Sequence, residues 1–182
     1  MNTLDHRSLN PIATFGLLVG GSFIIASLLF ILSGRDVVMN PRLNNVVSCL
    51  SIIGCFMGVK KFRDDRLAGS ITYGRAFSAG LKIVLLATVL YSIYTFALYS
   101  ARPELMEEYK NIMTVMIKEI YGEISLGIPA EILNETITPL VVAFSEFFRD
   151  VLLGMFFLLV IAAILRRNLP TPARPNPSDL NA

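Results

Sequence analysis

Three ionisable residues stand within one helical turn of an otherwise apolar stretch: Glu146, Arg149 and Asp150 in SEFFRDVLLGMFFLLVIAAIL. Helical spacing at i, i+3 and i+4 puts Glu146 beside both of the others, so one guanidinium can bridge two carboxylates. Two chemistries fit. The cluster can be a polar pocket holding a cation or a polar ligand, with Tyr91, Tyr94 and Thr95 of the preceding apolar stretch as hydrogen-bond donors at similar depth. It can equally be a self-neutralising ion pair that ends a membrane span. Acid–base catalysis would also need a nucleophile and an orienting partner. The only histidine is His6, and no nucleophile elbow, HExxH helix, P-loop or dinucleotide fingerprint occurs. The expectation is therefore no enzyme, no catalytic residue and no cofactor.

The second concentration of charge is GVKKFRDDRLAGSITYGRAFSAGLK, residues 58–82, with Lys60, Lys61, Arg63, Arg66, Arg75 and Lys82. Cations of this kind at a membrane surface attract anionic headgroups, each by about 1 kcal/mol. Asp64 and Asp65 can pair with some of them, and Gly69 frees the chain to turn. The segment reads as a lipid or partner contact through Lys60, Lys61, Arg63, Asp64, Tyr73, Arg75 and Lys82, or as an ordinary basic loop. Three methionines at 106, 113 and 116 have no soft partner cluster, and Cys49 and Cys55 lie roughly 9 Å apart along a helix. That separation is too long for a disulfide, and no metal site is expected.

Whatever these charges do, lipid must position them. Of 182 residues 54% are hydrophobic and 16% charged, against about a quarter charged in soluble domains. Mean hydropathy is +0.61. The net charge of +2 gives no electrostatic footprint for nucleic acid. Four stretches approach the roughly 20 residues that cross a bilayer, at about 11–33, 43–59, 76–101 and 146–165. The first is too long for a signal-peptide core and reads as a retained span. With the N-terminus in the cytoplasm, nine basic residues fall on the inner side and five on the outer, so both termini are expected inside. Lys82 is followed by the uncharged run Ile83–Ala101, about 28 Å of helix. Lys82 then anchors the inner edge; the alternative is a buried lysine on a proton or substrate path. Roughly 10 Å or more of depth separates it from Asp150, which argues against direct contact.

Gly16 and Gly20 in the first span, and Gly54 and Gly58 in the second, form two GxxxG patterns, and Gly80 adds a small surface in the third. Such patterns let helix backbones approach closely. Here the two could face each other in an antiparallel hairpin or serve a second copy of the chain. Between the third and fourth spans, residues 103–136 form an outer amphipathic segment. Leu105, Tyr109, Ile112, Met116 and Ile120 recur at helical spacing, and Gly127 and Pro129 break it. Residues 169–182, with four prolines, form a tail expected to be disordered.

The run Gly58-Val59-Lys60, Phe62-Arg63-Asp64 and Ile71-Thr72-Tyr73-Gly74-Arg75-Ala76-Phe77, with Gly80, resembles the bacterial four-span membrane family catalogued as domain of unknown function 4199. Asn10-Pro11-Ile12, Pro103-Glu104 and Leu165-Arg166-Arg167 extend the likeness over nearly the whole chain. The resemblance implies an integral protein of the bacterial cytoplasmic (inner) membrane and brings no activity with it. The expected architecture is all-α: an integral membrane four-helix bundle over 1–168, with the outer amphipathic helix between helices 3 and 4. The expected function is non-enzymatic, through lipid or protein contacts; the alternative is a small carrier or transporter component with an outer-facing polar site. Membrane lipid, a homo-oligomeric copy or another membrane protein are the expected partners.

Overall fold

The computed structural model of the protein describes residues 10–121 and 135–166. Five helices account for nearly all of them: α1 (Pro11–Leu32), α2 (Pro41–Arg66), α3 (Tyr73–Ala101), α4 (Pro103–Tyr121) and α5 (Pro139–Leu165). All but α3 begin on proline, whose missing N–H and fixed φ suit a first helical position. Asn10 and Asn40 cap α1 and α2, accepting from the amides of Ile12 (3.2 Å) and Arg42 (2.9 Å). Thr138 caps α5 through the amide of Val141 at 3.4 Å.

Helices α1, α2, α3 and α5 are each long and apolar enough to cross a membrane. They alternate in direction, because short connections join the first three and α4 lies between α3 and α5. Helix α3 is the hub: it packs on α1, α2 and α5 and touches α4. The core runs along it through Ile83, Val84 and Ala87, which meet Phe23 of α1, Val59 of α2 and Leu158 of α5. Large apolar side chains such as Leu17, Leu32, Ile93, Phe156 and Ile164 face outward, which suits a protein whose surroundings are hydrocarbon.

The two ends of the bundle differ. At one end α2 passes into α3; this is the basic end. Helix α2 continues unbroken through the charged run to Arg66, so most of the expected loop is helical and the turn is confined to residues 67–72. Leu67 caps α2, and left-handed Ala68 and Gly69 (φ 48° and 80°) turn the chain while the Gly69 amide returns to the Arg63 carbonyl at 3.2 Å. At the other end α4 folds across the bundle. Met106 and Tyr109 of α4 join Val38, Tyr99, Ile137 and Val142 in a second small core, with Tyr99 and Tyr109 edge to face at 5.9 Å. Of the apolar residues recurring along α4, Tyr109 is buried and Met116 exposed, while Met106, outside that series, is buried. The expected continuation of the amphipathic segment over 122–134, the break at Gly127 and Pro129, and the tail lie outside the described residues, as does His6.

The glycines work differently from the expected hairpin contact. Gly16 and Gly20 face α3, under Leu86 and the backbone of Ala87, and not Gly54 and Gly58. Gly54 receives Val19 of α1, Gly58 receives Ile83 and Phe15, and Gly80 receives Leu158 and Val59. Gly154, which belongs to no GxxxG pattern, receives Val84. Each of these six glycines is a socket for a large side chain or a neighbouring backbone; the two GxxxG surfaces do not mate.

Candidate functional sites

Helix α5 turns the carboxylates of Glu146 and Asp150 into the bundle and leaves Arg149 between them partly exposed, at 39%. It starts at Pro139, ahead of the expected boundary at Glu146, so the cluster sits about 16 Å along the helix from its start at Asp150 and does not end it. Arg149 bridges as its spacing requires. Its Nη1 donates to Glu146 Oε1 at 3.0 Å, while Nε and Nη2 both donate to Asp150 Oδ1 at 3.1 and 3.0 Å. Asp150 Oδ2 is buried without a hydrogen-bond partner, and the Asp150 side chain is only 9% exposed.

Two small cavities border the cluster, one on either side of its level. Nearer the α4 end, Glu146 faces Asn44 of α2, Ser27 of α1, and Tyr91, Tyr94 and Thr95 of α3. There Tyr94 donates to Ser27 Oγ at 3.2 Å, so the tyrosine expected beside the carboxylates is spent on α1. Tyr91 is buried edge to face on Phe23. Deeper in the bundle, Asp150 faces Ser48 and Ser51 of α2 and Thr88 of α3, with Phe23, Leu153 and Phe157 among the apolar walls.

A second site lies at the basic end. Arg75, Ser78 and Lys82 follow one another along α3 and line a cleft of about 470 Å³ whose apolar walls include Ile12, Phe62 and Leu67. Arg75, Ser78 and Lys82 are all exposed. Among the described residues, no carboxylate pairs with Arg75, Lys82 or Lys60. Lys61 instead pairs with Asp65 at 3.3 Å, and Arg63 with Asp64 at 2.8 Å. The seven residues expected to form one contact surface therefore divide. Arg75 and Lys82 share the cleft; Lys60, Lys61, Arg63 and Asp64 lie on α2 beyond it. Tyr73 turns toward α5, its hydroxyl 3.5 Å from the Leu159 carbonyl.

The sequence model of the family described as "Protein of unknown function (DUF4199)" matches residues 14–167. The chain belongs to this family. No curated protein and no solved structure matches it. The DUF4199 match spans all four long helices, both candidate sites and α4. Within the DUF4199 region, the described residues hold no cluster of three or more His, Cys, Asp or Glu side chains suited to a metal ion. The hydroxyls of Ser48, Ser51 and Thr88 were not among the residues anticipated from sequence. Ser48 and Ser51 are three apart on α2, and Thr88, Tyr91 and Thr95 form a polar stripe on α3; those spacings were the available signal.

Proposed function

We propose that this DUF4199 chain is a non-enzymatic multi-pass protein of a bacterial cytoplasmic membrane that acts through lipid and protein contacts, with an anionic phospholipid held at its basic end. The cleft between Arg75 and Lys82 carries this reading. Two cations without carboxylate partners among the described residues flank an exposed serine, and the apolar side chains of Ile12, Phe62 and Leu67 form the adjoining wall. A phosphodiester headgroup suits the first feature and an acyl chain the second. In this reading the basic end and both termini face the cytoplasm, which the excess of Lys and Arg at that end supports.

Two free cations at about 1 kcal/mol each amount to roughly a thirty-fold preference for an anionic over a zwitterionic lipid. The test is native mass spectrometry of the detergent-purified protein, titrated with phosphatidylglycerol or phosphatidylcholine. The expected result is preferential retention of phosphatidylglycerol, lost in the Arg75→Gln, Lys82→Gln double variant and kept in Lys61→Gln. Equal retention of both lipids, or an unchanged preference in the double variant, overturns the assignment. Orientation is tested separately: Gly74→Cys in intact cells should resist a membrane-impermeant maleimide until the cells are opened.

A further inference from the structure

Independently of the lipid cleft, the bundle contains a charge cluster that is one positive charge short. Glu146 and Asp150 carry two formal negative charges and Arg149 one positive, so the cluster is left with a net charge of −1. Arg149 spends Nε and Nη2 on Asp150 Oδ1, and Nη1 and Nη2 on the two oxygens of Glu146. Asp150 Oδ2 receives nothing, although the side chain is only 9% exposed. A carboxylate oxygen left bare in such a place is costly unless something positive meets it.

No hydroxyl of the opposite wall donates to Oδ2, and two of the three are committed elsewhere. Thr88 Oγ1 gives its proton to the Val84 carbonyl at 2.9 Å, and Ser48 Oγ gives its own to the Asn44 carbonyl at 2.8 Å. Both hydroxyls therefore present lone pairs, not hydrogens, to the cavity they share with Asp150 and Ser51. The remaining lining is apolar. The space holds about one water-sized particle. A cavity of oxygen acceptors around one net negative charge rejects anions and sugars and fits a single small hard cation.

We infer that Asp150 Oδ2, with the hydroxyl oxygens of Ser48, Ser51 and Thr88, forms a binding site for one dehydrated monovalent metal cation of sodium size within the membrane-spanning bundle. The Glu146 cavity, lined by Asn44, Ser27, Tyr94 and Thr95, lies between this site and the α4 end and gives the ion a polar approach. A proton on the carboxyl neutralises the same charge, so protons compete with the metal. The ionisable groups facing Asp150 are Glu146 and Arg149 on its own helix and Tyr91 on α3. Helices α1 and α2 present only Phe23, Val47, Ser48 and Ser51 to the cavity. A site of this kind is what the carrier alternative requires, and its occupancy can be measured without assuming transport.

The full-length protein in detergent is heated in sodium chloride, potassium chloride or choline chloride at matched ionic strength, at pH 6 and pH 8. A ligand that binds only the folded state raises the melting temperature with concentration. The expected result is a saturable rise in sodium over choline at pH 8, with a several-fold weaker apparent affinity at pH 6. Asp150→Asn should abolish the sodium-dependent rise. Should Asp150→Asn fail to fold, Thr88→Val serves, because it keeps the shape and deletes one oxygen; it should weaken the apparent sodium affinity several-fold and leave the melting temperature in choline near that of the parent. No difference between sodium and choline at either pH overturns the site. So does a sodium response that survives intact in both variants, and so does a response to pH alone.

Discussion

Replacing Gly20 with alanine adds one methyl group where α1 crosses α3. Its Cβ would lie 3.0 Å from the carbonyl oxygen of Ala87 and 3.1 Å from the Ala87 Cα. Ordinary contact begins a few tenths of an ångström further out; Leu90 Cδ2, also at 3.0 Å, can move aside, but the two Ala87 atoms are backbone and cannot. Ala87 is itself fully packed, at 1% exposure, so relief requires α1 and α3 to separate. Overpacking of this kind costs about 1–3 kcal/mol. Gly21, the next residue on the same helix, has nothing within 4 Å of its would-be Cβ. Alanine there relieves a helical glycine and should be neutral or stabilising by up to about 1 kcal/mol. The pair separates packing from propensity, because chemistry, helix and depth are nearly the same. Unfolding is followed by circular dichroism against increasing sodium dodecyl sulfate in mixed micelles, since the chain has no tryptophan to report. The expected difference between the two variants is roughly 1–4 kcal/mol, with Gly20→Ala the weaker. Matching midpoints would refute the claim that α1 is seated on α3 through this glycine.

Three further outcomes follow from local geometry. Cys49 is exposed and Cys55 only 2% exposed, so a lipophilic maleimide should label the first and spare the second in the folded protein, as read by peptide mass spectrometry. Asn40→Ala removes the acceptor for the Arg42 amide and should lower stability by about 1 kcal/mol in the same micelle assay, with Asn40→Asp close to the parent. Desolvation first, and the nearby charge of Asp36 second, hold the Glu108 carboxyl above its ordinary range. A raised folded value means that its contribution is full at acid pH and is lost as pH rises through that value. Glu108→Gln should therefore raise the melting temperature at pH 7 relative to the parent and flatten the profile between pH 4 and 7. Parallel profiles would contradict the Asp36–Glu108 repulsion.

Much of this architecture was legible because lipid imposes a coarse grammar. Four apolar runs of adequate length located the long helices before any packing was considered. The starts of α2 at Pro41 and α5 at Pro139 lie ahead of the expected boundaries at 43 and 146, although proline after Asn40 and after Thr138 is the local signal for both. The bridging role of Arg149 was readable because i, i+3 and i, i+4 neighbours on one helix need no tertiary information. The charged stretch Lys60–Arg66 was harder. Its polarity resembles a loop, yet nothing in it breaks a helix, and α2 simply continues until left-handed Ala68 and Gly69. A GxxxG pattern announces a shallow groove without saying what fills it, so the occupants Val19, Ile83, Leu86 and Leu158 came only from the packed helices. The hydroxyls around Asp150 belong to two other helices, and only the rotation of those helices about their axes brings them together.

The arrangement of Arg149 between two carboxylates of its own helix also bears on how the protein is made. A lone carboxylate at the centre of a segment leaving the translocon opposes insertion by about 2.5–3.5 kcal/mol. Here the countercharge travels on the same turn, so the hydrogen bonds that mask most of the charge can form within α5 alone. The last span is thus equipped to partition into the bilayer as an autonomous segment, and docking against its predecessors then sets the position of its one unmasked oxygen.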